Sequence, residues 1–273
     1  LRIREVFTAG DARLQIMTQC INFAVIPFVA FYYGRLFFPH EPLLALGLLL
    51  AALLPTSGMT ISWTGFAGGN MGAAVKMTVI GLIAGSVATP LYASWLMGAS
   101  IDIPMKKTFI QIAIVVFLPM TAGYMTRQLL LRKHGIEHYQ KNLKKRFPPL
   151  STLGVLGIVF IAMALKARTI AAEPSLFMRI IIPVIGLYGF NFVLSTVIGK
   201  FFFGREDGIA LVYGTVMRNL SIALAIAMTV FGKKGADIAL IIAIGYIIQV
   251  QSAAWYVKFT DSIFGKPERV PVC

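Results

Sequence analysis

Arg218 is the residue whose setting most clearly demands a chemical explanation. It stands with Thr215, Asn219 and Ser221 in V-Y-G-T-V-M-R-N-L-S (212–221), between apolar flanks. If that stretch crosses a bilayer, the charge costs at least ~2.5–3.5 kcal/mol on insertion scales, and such residues usually mark the path of a solute or ion. Two interpretations stay open: the guanidinium contacts an anionic solute or replaces a coupling cation, or it only satisfies the carbonyl groups of a broken helix.

Polar residues also interrupt a second apolar stretch, nearer the N-terminus. There L-L-A-L-G-L-L-L-A-A-L-L leads into P-T-S-G-M-T (55–60), where Pro55 removes a backbone donor and Gly58 tolerates unusual dihedral angles. Non-helical backbone inside a membrane is tolerated only where it is buried in protein or faces water, and paired interrupted segments point to the binding site of a secondary transporter. The predicted binding residues are Arg218, Asn219, Thr56, Thr60, Asn22, Ser221 and Thr215.

Each of these neutral residues also has a purely structural interpretation. Hydroxyls of the first interrupted segment can hydrogen-bond back to helix carbonyls, and Asn22 can join two helices. Gln249 and Gln251 can also face inward, but only one of them can share a given helix face. Gly81 and Gly85 form G-x-x-x-G, which we interpret as a close-packing motif.

The acidic and histidine residues argue against catalysis. All 11 Asp and Glu residues and all 3 His residues fall in loops or at the edges of the apolar stretches. Paired-carboxylate hydrolysis, nucleophile–base triads and metal catalysis therefore lack their residues at membrane depth, and coupling through a buried carboxylate is disfavoured. Cys20 and Cys273 lie too far apart in the sequence to suggest a disulfide framework or a metal site. We expect a protein that is not an enzyme and that holds no cofactor or metal.

The composition indicates which elements must position these residues. Hydrophobic residues make up 58% of the 273 residues and charged residues only 13%, with a mean hydropathy of +0.79, against about 45–50% and about 25% in soluble domains. This excludes an ordinary soluble enzyme and predicts an all-α polytopic membrane protein. Spans of ~20 residues account for the apolar stretches. They are predicted at 14–34, 42–68, 71–97, 104–131, 150–166, 177–200, 208–231 and 236–258.

The excess of basic residues predicts the orientation in the membrane. The chain has 25 Lys and Arg against 11 Asp and Glu, a formal charge of +14. About twice as many basic residues fall on the side of the N-terminus as on the other side, so that side is expected to be cytoplasmic, together with the C-terminus and the 132–149 connection. We interpret 132–149 as a linker rather than an amphipathic surface segment, and the net charge as a membrane signal rather than a nucleic-acid site.

The positions of the two interrupted spans suggest an inverted repeat. The second is the fourth of five spans if its half begins near Pro104, whereas the first is only the second of three. Two halves of five spans would place two more spans before Leu1, and a start at Leu rather than Met agrees with this. We expect one transporter unit with eight visible spans of ten, in which residues 1–103 hold spans 3–5 of the first repeat and residues 104–273 hold spans 6–10 of the second.

Four motifs, spread over four spans, carry a resemblance to a known family. They are N-F-A-V-I-P (22–27), P-T-S-G-M-T-I-S-W-T-G-F-A-G-G-N (55–70), L-P-x-x-A-G (118–123) and R-N-L-S-I-A-L-A-I-A (218–227). In their order and spacing the chain resembles the bile acid:sodium symporter superfamily, including its arsenical-resistance exporter branch. The resemblance implies ten helices, with a two-helix panel domain and a core domain whose discontinuous helices cross, and alternating access with the solute bound near that crossing.

Several positions depart from the sodium-coupled branch of that family. The Glu of its E-x-G-x-Q-N motif falls on Gly214 and the Gln on Arg218, while Asn219 is kept and Asn22 lies near a position where a Gln usually helps. We expect the guanidinium of Arg218 to act as a tethered cation, which would make transport sodium-independent. By this resemblance the remaining sodium ligands fall on Thr60, Ile61, Ala74 and Thr78.

The arsenical-resistance branch gives the closer match. Its Cys after the first Pro is Thr56 here, however, and its Glu after the second crossing is Ser221. A thiolate suits a soft metalloid and a hydroxyl does not, so the resemblance favours descent near this branch with a different solute. The shared pattern P-x-x-x-M-x-x-x-W-x-x-x-A-x-G falls on Pro55, Met59, Trp63, Ala67 and Gly69.

Together these observations predict a secondary active transporter of a small, anionic organic solute. Two alternatives stay open. One is an arsenite or antimonite efflux transporter of the same fold, for which Cys20 or another thiol would be needed. The other is a non-transporting membrane sensor, which would bind a ligand without flux. The expected partners are an anionic small molecule and the lipid bilayer, with no nucleic acid, and the expected location is a prokaryotic plasma membrane.

Overall fold

The computed structural model describes residues 11–101, 103–139 and 174–266, with scattered positions between 153 and 172. In this part of the chain all regular structure is helical apart from one isolated bridge, which confirms the predicted all-α class. The helices are α1 (Ala12–Phe37), α2 (Pro42–Leu53), α3 (Gly58–Phe66), α4 (Met71–Met97), α5 (Met105–His138), α6 (Pro174–Phe202), α7 (Arg205–Val216), α8 (Leu220–Val230) and α9 (Gly235–Phe264). A π-helical turn interrupts α1 at Ile21–Val25 and α5 at Ala113–Phe117. The described positions between 153 and 172 are also helical.

Five of these helices, α1, α4, α5, α6 and α9, are long and apolar enough to cross a membrane. Helices α2 and α8 are apolar but have only 12 and 11 residues. At 1.5 Å per residue neither spans a hydrocarbon core of ~30 Å alone. The chain is therefore an integral membrane protein built from helices.

The spans predicted at 42–68 and 208–231 each occur as two short helices, and the breaks fall at the interrupted segments predicted from the sequence. A third predicted span differs from the observed helix in its length. The span predicted at 104–131 continues to His138, because its continuation consists largely of helix-compatible residues, with Gly135 kinking it at φ 75°. The linker predicted at 132–149 therefore begins as helix. Residues 140–149, and much of the span predicted at 150–166, lie outside the described residues.

The helices that lead into the two breaks form the centre of the molecule. Helix α2 has apolar side chains on every face and is buried over residues 44–53, while α7 is buried over residues 208–216. A helix that is apolar all round is stable only when other helices surround it. Helices α1, α4, α8 and α9 pack on α2, and α6 packs along α7. Both breaks therefore lie inside protein.

Polar contacts close the two ends of this bundle. At one end, which we call the Asn70 end, the Asn70 amide donates to Asp207 at 2.8 Å, and Arg205 donates to Gly68 O at 2.8 Å. At the opposite end Lys107 donates to Val230 O at 2.8 Å, at the C-terminus of α8. The breaks lie between these ends, because α2 and α7 enter the core from opposite ends.

Candidate functional site at the crossing of two broken helices

The two breaks meet each other as short extended segments. The backbone leaves α2 after Leu53 and re-enters helix at Gly58, and it leaves α7 after Val216 and re-enters helix at Leu220. Residues 55 and 218 form an antiparallel bridge, and the residue 219 N–H donates to the residue 54 carbonyl at 2.8 Å. We call residues 54–57 and 217–219 the crossing.

Pro55 and Thr56 account for the first break. Pro55 cannot donate to the helix, and Thr56 has φ 62°, a left-handed conformation that is unusual for a β-branched residue. Such backbone costs of order 1–3 kcal/mol and persists only where its surroundings hold it. Those surroundings are Gly81 and Gly85 of α4: a Cβ at Gly81 would lie 2.5 Å from the Thr56 hydroxyl, and one at Gly85 would lie 3.0 Å from Pro55. The close-packing motif therefore makes room for the break.

Two helix N-termini converge at the crossing. The Ser57 hydroxyl accepts from the Met59 N–H, and Thr60 Oγ1 accepts from the Ser57 N–H, so this pair caps α3. The Asn219 side chain accepts from the Ile222 N–H at 3.3 Å and caps α8. The N-terminus of a helix carries about half a positive charge and suits an anion.

The carbonyl end of α2 is satisfied by residues from two other segments. Arg218 Nη1 donates to Ala52 O at 3.0 Å, and Thr89 of α4 donates to Leu53 O at 3.3 Å. Because the last carbonyl groups of a helix carry a partial negative charge, the guanidinium lies where a cation is favoured. The Arg218 side chain thus connects the second break to α2, the first of the broken helices.

The carbonyl end of α7 is satisfied by α1 and α6. Asn22 of α1 donates to Gly214 O at 3.0 Å, and Asn191 of α6 donates to Thr215 O at 2.9 Å. The Thr215 hydroxyl lies 2.6 Å from Ser195 Oγ. Two predicted binding residues, Asn22 and Thr215, therefore already have structural hydrogen bonds.

A side-chain amide of α9 pairs with the backbone of the second break. Gln249 is fully buried, accepts the Arg218 N–H at 2.8 Å and donates to the Arg218 carbonyl at 3.2 Å. Tyr188 of α6 donates its hydroxyl to the same amide oxygen at 2.9 Å. Gln251 is exposed, so of the two glutamines it is Gln249 that faces the interior.

The guanidinium of Arg218 is buried with one end unpaired. Arg218 is 3% exposed, and within the described residues its Nη2 has no hydrogen-bond partner. None of the Asp and Glu residues that the structure describes is buried, so no carboxylate among them neutralises the charge. A buried unpaired polar group costs ~1–3 kcal/mol or more, which indicates a place for an anion or an ordered water.

The seven predicted binding residues occupy different places around this centre. Thr56, Arg218 and Asn219 lie in the crossing itself. Thr60 caps α3, and Ser221 lies in the first turn of α8, with its hydroxyl 3.3 Å from that of Tyr246. Sequence periodicity did not single out Asn191, Thr89 or Tyr188, because nothing local in the sequence shows which carbonyl group each contacts.

A row of amides on α1 adds further unpaired groups. Gln15 donates to Ala73 O at 3.2 Å and Asn22 donates to Gly214 O, so their side-chain oxygens face away from those bonds. In the described part of the chain both oxygens, and both polar atoms of Gln19, are buried without partners. Such groups are normally satisfied by ordered water or a ligand.

The sequence profile of the sodium bile acid symporter family matches residues 2–173, well over half of the chain. The chain belongs to this family. The matched region includes the first break and ends before the second, so Arg218 lies outside it. The resemblance inferred from the four motifs is thus confirmed.

Two curated relatives align over both breaks. An uncharacterized transporter of Synechocystis sp. is 24% identical over 86% of this chain and 67% of its own length. The Arsenical-resistance protein Acr3 of Alkaliphilus metalliredigens is 23% identical over 90% of this chain and 72% of its own. A probable sodium/metabolite cotransporter, chloroplastic, of Oryza sativa is 30% identical over 46% of this chain and 30% of its own.

The residues in this chain do not fit the sodium ion that the family name implies. A Cβ at Gly214 would lie 2.5 Å from Met77 Sδ, so the buried Met77 fills the space that a longer side chain at 214 would need. The Thr60 hydroxyl caps α3, and the Thr78 hydroxyl donates to Ala74 O at 2.8 Å within α4. Of the positions that the resemblance assigns to sodium ligands, Ile61, Ala74 and Gly214 carry no side-chain oxygen at all.

Proposed function

We propose that this chain is a secondary active transporter that moves a small, anionic organic solute by alternating access. The solute binds at the crossing, against the N-termini of α3 and α8. The observation that carries the proposal is the buried Arg218 guanidinium, whose Nη2 is unpaired within the described residues and which belongs to the crossing where two helix N-termini converge. The binding residues proposed are Arg218, Asn219, Thr56, Thr60, Asn22, Ser221 and Thr215.

The proposed binding face is the part of the crossing that stays accessible. Gly58 is exposed, and Ser57, Asn219 and Ser221 are half-buried, so a carboxylate can approach the positive N-terminal ends of both helices there. Thr56 and Arg218 lie behind this face. The anion would draw the guanidinium forward, since its Nη2 has no competing bond within the described residues.

We also propose that transport is sodium-independent. Arg218 already reaches the carbonyl end of α2 and supplies a positive charge between the two broken helices. The side chain of Met77 occupies the space that the family's Glu would need at Gly214. The guanidinium of Arg218, a cation tethered to the chain, therefore supplies the positive charge that a bound sodium ion would otherwise supply.

The two broken helices support the proposed repeat and orientation. They enter from opposite ends and cross antiparallel, as two inverted halves would. We propose eight spans of a ten-span unit, with spans 3–5 in residues 1–103 and spans 6–10 in residues 104–273. The Asn70 end would face the cytoplasm of a prokaryotic cell, because the predicted basic excess lies on that side.

Arsenite or antimonite efflux is the second candidate, favoured by the similarity to an arsenical-resistance protein. Against it, the residue after Pro55 is Thr56, whose hydroxyl already hydrogen-bonds to backbone carbonyls at the first break. A soft metalloid prefers thiolate ligands. The first candidate therefore accounts better for the groups present at the crossing.

Thermal unfolding of the purified protein with pyruvate, taurocholate or arsenite tests the proposal. Each anion is added in sodium chloride and in choline chloride buffer. A ligand at about 100 times Kd that binds only the folded state adds ~2.7 kcal/mol, which is measurable as a rise in Tm. We expect a carboxylate or sulfonate to raise the Tm equally in both buffers and to be taken up by proteoliposomes. Stabilisation by arsenite alone would favour the second candidate, and binding without uptake would indicate a sensor.

A further inference from the structure

Gln249 makes the same pair of hydrogen bonds to the second break that a neighbouring β-strand would make. Its Oε1 accepts the Arg218 N–H at 2.8 Å, and its Nε2 donates to the Arg218 carbonyl at 3.2 Å. On the other side, Pro55 bridges Arg218, and the Asn219 N–H donates to Leu54 O. The backbone at 218–219 is therefore held from both sides, by the first break and by one amide of α9.

Tyr188 fixes the direction of that amide. Its hydroxyl donates to Gln249 Oε1 at 2.9 Å, so the oxygen serves two donors and the Nε2 group is left for the Arg218 carbonyl. Gln249 is 0% exposed and Tyr188 is 5% exposed. A hydrogen bond lost here would leave a buried group unpaired, because water cannot readily replace the partner.

A primary amide offers a donor and an acceptor with the spacing of a peptide edge at any pH. An apolar side chain of the same length offers neither, and a carboxyl group offers both only while it is protonated. Gln249 therefore does more than fill space. It supplies the backbone partner that a break inside a membrane protein needs.

We propose that Gln249 is the positioning residue of Arg218, and the proposal rests on the function proposed above. By fixing the Arg218 backbone, Gln249 holds the guanidinium at Ala52 O and keeps Nη2 at the crossing. Helix α9 thereby controls the charge that meets the solute. Without this amide the second break moves away from the carbonyl end of α2.

Hydrogen–deuterium exchange of the full chain in detergent tests the structural half of this proposal. With Gln249→Met we expect exchange over residues 216–222 to accelerate about tenfold, as the loss of a buried hydrogen bond implies. Exchange along α4 should stay at the wild-type rate, and the exposed-site control Gln251→Met should match wild type throughout. Unchanged exchange at 216–222, or an equal acceleration in all helices, would overturn the positioning role.

A Gln249→Glu variant tests the functional half through pH. The protonated carboxyl can replace both amide bonds, whereas the ionised form cannot donate to the Arg218 carbonyl and attracts the guanidinium itself. The groups that face this position are Tyr188 from α6, Arg218 from the second break and Tyr246 from α9. We expect taurocholate or pyruvate to raise the Tm of this variant at about pH 4, where an ordinary Glu is largely protonated, but not at about pH 7.5, while wild type responds at both.

The two experiments distinguish a failure of the positioning role from a failure of the proposed function. If wild type responds and Gln249→Glu responds equally at both pH values, the positioning role of Gln249 is wrong. If wild type responds to neither anion, the proposed function fails, and the exchange experiment still decides whether Gln249 holds the break.

Discussion

At the scale of single residues, most polar side chains near the crossing already have structural partners. Thr60 caps a helix, Thr215 hydrogen-bonds to Ser195, and Asn22 donates to a backbone carbonyl. Unpaired groups at the crossing are therefore more informative than polar residues in general. Arg218 Nη2 is such a group, and it carries the charge that selects an anion.

We expect Arg218→Met to separate binding from stability. Methionine has a similar length, and the substitution removes the cost of burying a charge that is only partly paired. The Ala52 carbonyl loses its donor, which costs ~1–3 kcal/mol and offsets that gain. The variant should keep a Tm within a few degrees of wild type and lose both the Tm response to pyruvate or taurocholate and the uptake of either anion.

Arg179→Met is the matched control for this loss of a cation. Arg179 pairs with Glu41 at the surface of the opposite end, and exposed pairs contribute only ~0–1 kcal/mol. Its variant should retain the full anion response. If Arg218→Met also retains that response, the binding role of Arg218 is wrong.

At the scale of helices, the site exists because α2 and α7 end inside the protein. Each leaves carbonyl groups at its C-terminus, and side chains from other helices satisfy them. Helix α4 approaches the first break so closely that a Cβ at Gly81 would clash with Thr56 and one at Gly85 would press against Pro55. The breaks are therefore properties of the packing as well as of Pro55.

We expect Gly81→Ala to destabilise the protein by ~1–3 kcal/mol, because its Cβ would lie 2.5 Å from the Thr56 hydroxyl. Gly123→Ala is the control, since a Cβ at this glycine of α5 meets nothing within 4 Å. Alanine is the better helix former by about 1 kcal/mol, so the control should be neutral or more stable. Thermal unfolding of both variants decides the matter: a Gly81→Ala protein as stable as Gly123→Ala would contradict the packing described for the first break.

The sequence allowed the breaks to be predicted but not their partners. Pro55, Gly58 and the polar residues near Arg218 indicate a break because residues of these types interrupt an apolar helix wherever they occur in it. That Gln249, rather than Gln251, meets the second break depends on how α9 is rotated against α6 and α7, and helix period alone leaves both open. Asn191 and Thr89 were missed because a polar residue inside a span looks the same whether it satisfies a distant carbonyl or its own helix.

At the scale of the whole molecule, the crossing lies between two ends that polar contacts close. Arg205 joins the C-terminus of α3 to the end of α9 through Gly68 O and Asp261 at one end, and Lys107 meets the C-terminus of α8 at the other. Both cations lie at helix C-termini, where positive charge is favoured. The half-helices α3 and α8 are thus anchored at the ends that face away from the crossing.

The proposed orientation can be tested by labelling single cysteines with a membrane-impermeant maleimide on intact, right-side-out vesicles. The background carries Cys20→Ser and Cys273→Ser, which removes both native thiols. Lys234 and Arg132 are exposed, and the predicted charge distribution puts them on opposite sides of the membrane. We expect Lys234→Cys to be labelled on intact vesicles and Arg132→Cys only after permeabilisation, since the side richer in Lys and Arg stays in the cytoplasm. The reverse pattern would place the Asn70 end outside and would overturn the proposed topology, while the geometry of the crossing would stand.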